Sequence, residues 1–337
     1  MLRRTRVGIA GFRGYSGAEL VRLLERHPQV EPVLLEHRSD SNGRPQPLVH
    51  KAPEGIPCSA EAVHDERIAL VFLATPPEVS MDLTPGMLEA GAKVIDLSGA
   101  FRLGNAETYR RWYREEHTVP ELFDKAVYGL PEVNRGKIQH AILISNPGCY
   151  PTAASLAIQP LAEAGVIDPH VGVVCDAKSG VSGAGRKASL KTSFCEVTEN
   201  LSVYSVFDHR HVPEVLMVSG LREEQFLFTA HLLPIDRGIL ETIYFRTVGV
   251  KSAGDLLDIY ERRYQGERFV RLFEPGVLPD IKSAQRTNFC DIGIRFDADR
   301  GRAVVVSVID NLVKGAAGQA IQNMNLALGF RESEALL

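Results

Sequence analysis

The chain has 337 residues, 45% of them hydrophobic, which is enough to fill the cores of two domains of ordinary size. Lys and Arg number 38 against 42 Asp and Glu, so the charge balance favours neither a nucleic-acid partner nor a membrane surface. Apolar runs fall short of the ~20 residues of a membrane span, and the basic start lacks the apolar stretch of a secretory signal. Five scattered cysteines form neither a disulfide framework nor a CxxC metal pattern. We therefore expect a cytoplasmic protein with no metal site.

The first half of the chain alternates strands with helices. Strands are predicted over residues 6–10, 30–35, 68–73, 93–97 and 141–145. A helix follows the first strand, with Ser16 and Glu19 as its capping box and Pro28 beyond its end. The strand over residues 68–73 is apolar without alternation, which is typical of a parallel strand buried on both faces. This order predicts a doubly wound Rossmann domain over residues 1–148.

After Cys149 the pattern changes. A helix is predicted over residues 152–164, and longer strands over residues 171–177, 226–233, 239–247, 289–296 and 303–309. The last two strands flank a hairpin connection at residues 297–301. This composition predicts an α+β domain over residues 149–311 with a mixed, largely antiparallel sheet. A final helix over residues 312–328 is rich in small residues, and Gly329 fits its cap.

A glycine-rich turn, Gly11-Phe-Arg-Gly14-Tyr-Ser-Gly17, joins the first strand to the first helix. Glycines at this point let a backbone approach a pyrophosphate, and the helix N-terminus attracts negative charge. The spacing is GxxGxxG rather than GxGxxG, so a turn without a ligand is the alternative. Its place in the opening βαβ unit favours dinucleotide binding.

The end of the second strand carries opposite signals for the choice of cofactor. Glu36 is the kind of residue that accepts hydrogen bonds from the ribose of NAD, whereas Arg38 and Ser39 suit the 2′-phosphate of NADP. Plain surface charge is the alternative for Arg38. We expect NADP to be preferred, with Arg38 beside the phosphate and Glu36 turned toward solvent.

Cys149 lies between a buried strand and a helix, in the sequence Asn146-Pro-Gly-Cys149-Tyr-Pro-Thr152. Ligand sites of α/β sheets gather at the carboxyl ends of strands, and a helix N-terminus lowers the pKa of a thiol below about 8.5. These features favour a nucleophile. A small buried apolar residue is the alternative, and we apply it to Cys58, Cys175, Cys195 and Cys290.

Two further segments carry ionisable groups. His209 and His211 stand in a cluster, His209-Arg-His211-Val-Pro-Glu214, where either ring could act as an acid or a base. A solvated loop is the alternative, and metal binding lacks further ligands at suitable spacing. The glycine-rich stretch from Lys178 to Arg186 is either a surface loop or an anion site for a leaving phosphate.

Six motifs occur in order along the chain, at residues 96–103, 128–132, 146–152, 179–186, 209–214 and 310–319. They read DLSGAFRL, YGLPE, NPGCYPT, SGVSGAGR, HRHVPE and DNLVKGAAGQ. Together they closely resemble the N-acetyl-gamma-glutamyl-phosphate reductase family of arginine biosynthesis, over about residues 6–330.

The resemblance implies a Rossmann domain, a glyceraldehyde-3-phosphate-dehydrogenase-like second domain for catalysis and oligomerisation, and a helix over residues 312–330 that returns to the first domain. It implies NADPH-dependent reduction of an acyl phosphate by a homodimer or homotetramer. Cys149 would be the nucleophile and His209 the acid/base. Substrate would meet Arg102, Ser179, Gly180, His211 and Glu214, with Arg102 near a carboxylate. The cofactor would meet Gly11, Arg13, Gly14, Tyr15, Ser16, Gly17, Arg38, Ser39, Thr75, Pro76, Ser98 and Asn311.

The implied chemistry passes through a thioester. A Cys149 thiolate attacks the acyl phosphate, phosphate leaves, and hydride then reduces the thioester to an aldehyde. Backbone N–H groups at the helix N-terminus and a protonated His209 would stabilise the oxyanion. The chain departs from the family pattern at Glu36, where relatives usually carry Ser, and at residues 74–78, where they often read Leu-Pro-His-Gly.

Three alternatives remain open. The nearest is the cognate reductase of carrier-protein lysine biosynthesis, whose substrate is the longer aminoadipate derivative, while aspartate-semialdehyde dehydrogenases carry different cysteine and histidine motifs. A cysteine hydrolase using Cys149 and His209 is a second alternative, and a dinucleotide-binding protein without catalysis is a third. The glycine-rich turn and the segment around Asn311 weigh against a hydrolase, which needs no dinucleotide.

Overall fold

The computed structural model describes residues 4–37 and 55–337, and the chain divides into two compact units. The first unit comprises residues 1–147 and 316–337, and the second comprises residues 148–315. The chain thus leaves the first unit at Pro147 and returns to it at Ala316, whereas the sequence places the return at residue 312.

The first unit is built on a parallel sheet, as predicted for a Rossmann domain. Its described strands are β1 (Thr5–Ala10), β2 (Val30–Glu36), β3 (Ile56–Pro57), β4 (Leu70–Leu73), β5 (Lys93–Asp96), β6 (Ala126–Tyr128) and β7 (Leu143–Ser145). They lie in the order β3-β2-β1-β4-β5-β7-β6, and every pairing is parallel. Its helices are α1 (Tyr15–Leu24), α2 (Ala60–Asp65), α3 (Pro77–Glu89), α4 (Ala106–Tyr113), α5 (Pro131–His140) and, after the return, α11 (Gly318–Ala327).

The strand order reverses direction at β1. Strand β1 pairs with β2 on one side and with β4 on the other. In open parallel sheets the connections leave such a point in opposite directions, which opens a crevice at the carboxyl ends of the strands. The glycine-rich turn that begins at Gly11 follows β1 directly, so it lies at this crevice.

Helix α1 begins two residues earlier than its predicted capping box. Gly14 is the N-cap residue and carries no side-chain cap, so the predicted box of Ser16 and Glu19 is wrong. Glu19 instead forms an ion pair with Arg22, one turn along the same helix. An N-terminus without a side-chain cap leaves its N–H groups for another acceptor.

The returning segment is not one regular helix. Residues Val313–Ala317 form a π-helix, and α11 follows it. A π-helix has hydrogen bonds between residues five positions apart. Here the Gly315 N–H donates to the carbonyl oxygen of Asp310 at 2.9 Å. Within the first unit α11 packs on α1 and α5, which agrees with the burial of all ten of its residues.

The second unit contains the mixed sheet that the sequence predicts. Its strands are β8 (Val173–Gly180), β9 (Ser202–Tyr204), β10 (Phe226–Leu233), β11 (Ile239–Arg246), β12 (Val270–Leu272), β13 (Cys290–Asp297) and β14 (Arg302–Ile309). They lie in the order β12-β13-β14-β11-β8-β10-β9. The β8–β10 and β12–β13 pairings are parallel, and the four others are antiparallel. Its helices are α6 (Cys149–Glu163), α7 (Phe194–Val197), α8 (Val212–Ser219), α9 (Ala253–Tyr264) and α10 (Ile281–Ala284).

Helix α6 is held against this sheet, and this contact positions Cys149. The helix packs on β11, β13 and β14 and on helices α8 and α9. Polar bonds add to the apolar packing: the Ser307 hydroxyl donates to the Ala153 carbonyl at 2.9 Å, and the Tyr260 hydroxyl donates to the Ala157 carbonyl. A helix fixed along its length in this way gives its first residue a defined place.

Candidate active site

Cys149 is the first residue of α6, and Gly148 is the N-cap. The Gly148 carbonyl accepts hydrogen bonds from the backbone N–H and the hydroxyl of Thr152, at 3.0 and 2.9 Å. Its N–H donates to Oε2 of Glu214 at 2.9 Å. Cys149 is half-buried, so the turn presents a thiol that a small molecule can reach.

Two glycines let other groups approach this turn closely. A Cβ atom on Gly148 would lie 2.6 Å from Nε2 of His211, and a Cβ atom on Gly315 would lie 2.8 Å from Cβ of Cys149. Neither distance is compatible with a side chain. The His211 ring therefore stands against the peptide that precedes Cys149, and the π-helical segment lies against Cys149 itself.

His209 lies in an aromatic enclosure. Its ring centroid is 4.9 Å from that of His211, 5.5 Å from both Tyr150 and Tyr204, and 5.1 Å from Phe228. The Tyr150 ring also meets His211 at 6.0 Å. Because Tyr150 directly follows Cys149, the structure brings both predicted histidines to the start of α6.

Burial controls the protonation of this enclosure. Burial and, to a lesser degree, the charge of Arg210 lower the pKa of His209 to about 4, and Asp208 partly opposes this change. Burial also raises the pKa of Tyr150 and raises that of Tyr204 to about 12. The resting His209 ring is therefore neutral near pH 7. The ring must therefore take up a proton before it can stabilise an oxyanion in its protonated form.

Tyr150 and Tyr204 were missed by the sequence analysis. Their hydroxyl groups are hydrogen-bonded to each other at 3.1 Å, and the Tyr150 hydroxyl also donates to the His231 carbonyl at 3.3 Å. A tyrosine beside a candidate nucleophile was a usable signal for Tyr150. Nothing local points to Tyr204, because it meets Tyr150 only through the pairing of β9 with β10.

Ser179, Gly180 and Asn311, three of the predicted site residues of the second unit, share one loop region. The Ser179 hydroxyl donates to the Gly180 carbonyl at 3.0 Å, and Gly180 has no room for a side chain because a Cβ atom would lie 2.7 Å from the Asp236 carbonyl oxygen. Asn311 accepts from the Gly238 N–H at 2.7 Å and donates to the Ser182 hydroxyl at 3.0 Å. Asn311 thus ties this loop to the end of β14.

In the first unit, the glycine-rich turn has the shape of a cradle. Gly11 has φ +76°, and a Cβ atom there would lie 2.3 Å from the Ala74 carbonyl oxygen. A Cβ atom on Gly17 would lie 2.2 Å from the Gly11 carbonyl oxygen. Tyr15 and Ser16 occupy the first turn of α1. The bare, compact turn at the start of a helix therefore fits a pyrophosphate of NAD or NADP.

Glu36, at the end of β2, was expected to turn toward solvent. Glu36 does not simply turn toward solvent: its Oε1 accepts from Nη2 of Arg13 at 3.0 Å. Arg38 and Ser39 lie outside the described residues. Thr75 is hydrogen-bonded to Ser80 through their hydroxyl groups at 2.8 Å, and Pro76 is the N-cap of α3.

Ser98 and Arg102 lie in the turn after β5. The Ser98 hydroxyl donates to Asp96 at 2.8 Å. Arg102 is buried, and its Nε and Nη2 donate to the carbonyl oxygens of Asn146 and Leu97, both at 2.8 Å. The guanidinium therefore already holds the carboxyl ends of two strands together.

Both units match known protein families. Residues 6–141 match the family described as "Semialdehyde dehydrogenase, NAD binding domain", and residues 149–311 match "Semialdehyde dehydrogenase, dimerisation domain". Among solved structures, the chain resembles aspartate semialdehyde dehydrogenase II of Vibrio cholerae with a TM-score of 0.72 at 20% identity, over 97% of this chain and 99% of that one. This likeness establishes the fold.

Two relatives of known name share a higher sequence identity with the chain than this solved structure does. The chain is 46% identical to N-acetyl-gamma-glutamyl-phosphate reductase of Symbiobacterium thermophilum over 98% of this chain and 97% of the relative. It is also 46% identical to the enzyme of that name in Geobacillus kaustophilus, with the same coverage. Within the described residues, no helix has the length and apolar character of a membrane span. The chain therefore belongs to the N-acetyl-gamma-glutamyl-phosphate reductase family, within the semialdehyde dehydrogenase fold.

Proposed function

We propose that this protein reduces N-acetyl-gamma-glutamyl phosphate to N-acetyl-glutamate semialdehyde with NADPH and releases phosphate, as the names of its relatives indicate. The observation that carries the proposal is the place of Cys149, a half-buried thiol at the N-terminus of α6. A helix N-terminus favours the thiolate, which is the reactive form. His209 and His211 lie beside the same turn.

Cys149 forms the covalent intermediate in this proposal. Its thiolate attacks the carbonyl carbon of the acyl phosphate, the bond to the phosphate oxygen breaks, and a thioester remains. When bound, NADPH supplies the hydride that reduces this thioester. The carbon–sulfur bond then breaks, the aldehyde leaves, and the Cys149 thiolate is restored.

The other residues bind and orient the reactants. Neutral His209 accepts the proton of the Cys149 thiol and can return it, and N–H groups at the start of α6 stabilise an oxyanion. Substrate is assigned to the surroundings of Ser179, Gly180, His211 and Glu214 in the second unit, and its carboxylate to Arg102.

NADPH is assigned to the first unit and to one residue of the second. The assigned residues are Gly11, Arg13, Gly14, Tyr15, Ser16, Gly17, Arg38, Ser39, Thr75, Pro76, Ser98 and Asn311. The tight turn at Gly11 and Gly17 supports this assignment, because a side chain at either position would clash with neighbouring backbone, and a compact glycine turn lets backbone N–H groups approach a pyrophosphate.

We also infer a homodimer or homotetramer formed through the second unit. The segment from residue 190 to residue 207 carries six large apolar side chains that are 44% to 80% exposed: Leu190, Phe194, Leu201, Val203, Val206 and Phe207. Such clustering is typical of a protein–protein contact. Light scattering should show that Phe194→Ser with Phe207→Ser shifts the protein toward the monomer, whereas Val277→Ser, a change at another exposed apolar residue, does not. An unchanged mass for the double variant would contradict this contact.

A cytoplasmic location is part of the same proposal. None of the five cysteines, all of which lie in the described residues, forms a disulfide, which is typical of proteins from a reducing compartment. The reactants are small phosphorylated molecules, and we propose neither a membrane nor a nucleic acid as a partner.

One assay separates the candidate functions. Phosphate-dependent oxidation of N-acetyl-glutamate semialdehyde and of its one-carbon-longer homologue is followed by absorbance of the reduced nicotinamide. We expect turnover with the shorter aldehyde and little with the longer one. The reverse preference would identify the lysine-pathway reductase. Phosphate release from the acyl phosphate with no change in nicotinamide absorbance would identify a hydrolase.

A further inference from the structure

A charged pair links the glycine-rich turn to the end of β2 in the first unit. Arg13 lies in the turn between β1 and α1, and Glu36 is the last residue of β2. The atoms Nη2 of Arg13 and Oε1 of Glu36 are 3.0 Å apart, and the residues are 23 positions apart in sequence. The pair therefore brings a cation from the glycine-rich turn onto the acidic residue at the end of β2.

Packing holds both side chains in place. The Arg13 guanidinium lies 4.6 Å from the centroid of the Phe12 ring, a favourable cation–π distance. A Cβ atom on Gly55 would lie 2.4 Å from Cγ of Glu36, so the stem of Glu36 lies directly over this glycine. The Glu36 carbonyl also accepts from the Cys58 N–H at 3.0 Å. The carboxylate is thus kept beside Arg13.

The end of β2 is where a Rossmann domain meets the adenosine ribose of its cofactor. A lone carboxylate there accepts hydrogen bonds from the ribose of NAD. The same carboxylate repels the 2′-phosphate of NADP, which carries a charge of about −1.5 to −2 near pH 7. Because Glu36 is paired with a guanidinium, its charge is offset before any cofactor arrives.

We propose that the Arg13–Glu36 pair determines cofactor selectivity, with Arg13 cancelling the charge of Glu36 so that a 2′-phosphate is accepted. This inference rests on the proposed use of NADPH. In this proposal the cation that sets the preference for NADPH over NADH is Arg13 of the glycine-rich turn, and not a residue that follows β2. It also accounts for an acidic residue at β2 in a protein that we expect to use NADPH.

An exposed ion pair with no role in binding is the competing explanation. Such pairs are common and contribute little to the stability of a fold. The two explanations differ in one respect: only a selectivity pair should treat a ligand with a 2′-phosphate differently from the same ligand without it. That difference should also shrink in high salt, because screening weakens exposed charges.

Calorimetric binding of adenosine 2′,5′-bisphosphate and of adenosine 5′-monophosphate tests the proposal without any turnover. Arg13→Gln should weaken binding of the bisphosphate about ten-fold, and Glu36→Gln should strengthen it by a similar factor, as expected for one charge at short range. The double variant should return to within about three-fold of the unaltered protein, and Arg13→Lys should keep most of the affinity. The monophosphate should bind all variants within about two-fold.

The matched control is Arg300→Gln, which removes a cation of similar spacing, 3.3 Å from Asp297, in the second unit. It should leave the affinity ratio of the two ligands unchanged. Equal effects of Arg13→Gln on both ligands, or no effect, would overturn the selectivity role while leaving the proposed function standing. If the unaltered protein binds neither NADPH nor NADH in the same calorimeter, the proposed function fails and this inference with it.

Discussion

The backbone N–H of His211 donates a hydrogen bond to Nδ1 of His209 across 3.2 Å. Nδ1 is therefore an acceptor, and the neutral His209 ring carries its proton on Nε2. In this tautomer Nε2 is a hydrogen-bond donor, and Nδ1 can take up a proton only after it releases the His211 N–H. The backbone of His211, two residues along the chain, therefore fixes the resting tautomer of His209.

The acid limb of the pH profile should reflect the buried state of His209. Its pKa is lowered to about 4 by burial and by Arg210, so the neutral base persists as the pH falls through 6.5 and is lost only near 4. The kcat/KM value should stay flat from pH 7 to about 5. Arg210→Gln should move the limb upward, because it removes a nearby positive charge. A wild-type limb centred at pH 6.5 would contradict this assignment.

Glu214 should matter through the peptide that precedes Cys149. Glu214→Ala leaves the Gly148 N–H without its acceptor, which should cost about 1.5–3 kcal/mol of unfolding free energy. The shifted thiol should also lower kcat, by as much as about 10²-fold. Glu214→Gln keeps an acceptor oxygen and serves as the matched control, with much smaller losses in urea denaturation. Equal stability of the two variants would show that this hydrogen bond does not hold the turn.

Arg102 should combine a structural and a substrate-binding effect. Arg102→Lys loses the geometry that bonds two carbonyl oxygens at once, so we expect a loss of about 2 kcal/mol in unfolding free energy. If a substrate carboxylate also binds there, KM for the substrate rises while the calorimetric Kd for NADPH is unchanged. A variant that loses stability but keeps KM would leave Arg102 with its structural role alone.

Glu241 should make the protein sensitive to alkaline pH. It is fully buried on β11, and burial raises its pKa well above the ordinary value, while Cys175 and Lys178 lower it. A raised folded-state pKa means that the stability contribution is complete below the ordinary pKa, about 4.5, and is lost as the pH rises toward the folded value. Glu241→Gln should therefore gain in melting temperature over the unaltered protein at pH 8 and less at pH 5. Exposed Glu261→Gln should show no such trend, and a pH-independent difference for Glu241→Gln would contradict the prediction.

Long, regular elements could be predicted from the sequence, whereas short or irregular ones could not. Strand β10 was predicted with both ends correct, because its eight residues are mostly apolar and rich in aromatic and aliphatic side chains. Strand β3 has only two residues and strand β9 only three, so neither shows a period. The predicted helix after Asn311 begins as a π-helix, because the Asp310 side chain accepts from the N–H groups of Leu312 and Val313.

The residues of the candidate site also fall into those that the sequence could predict and those that it could not. Cys149, His209 and the glycine-rich turn stand in local patterns with a chemical meaning, so the sequence alone can single them out as candidates. Tyr204 and the Arg13–Glu36 pair depend on contacts between distant parts of the chain, and no local pattern reports these. The lowered pKa of His209 depends on burial, which comes from the complete packing of the second unit.

The thioester on Cys149 can be tested directly by mass spectrometry. The protein is mixed with N-acetyl-gamma-glutamyl phosphate in the absence of NADPH, and the intact mass and peptides are recorded. We expect one acyl group per chain on the peptide that carries Cys149, its loss as aldehyde when NADPH is added, and no adduct in Cys149→Ser. Exposed Cys195 serves as the internal control and should stay unmodified. An adduct on Cys195 alone, or full turnover by Cys149→Ala, would contradict the account.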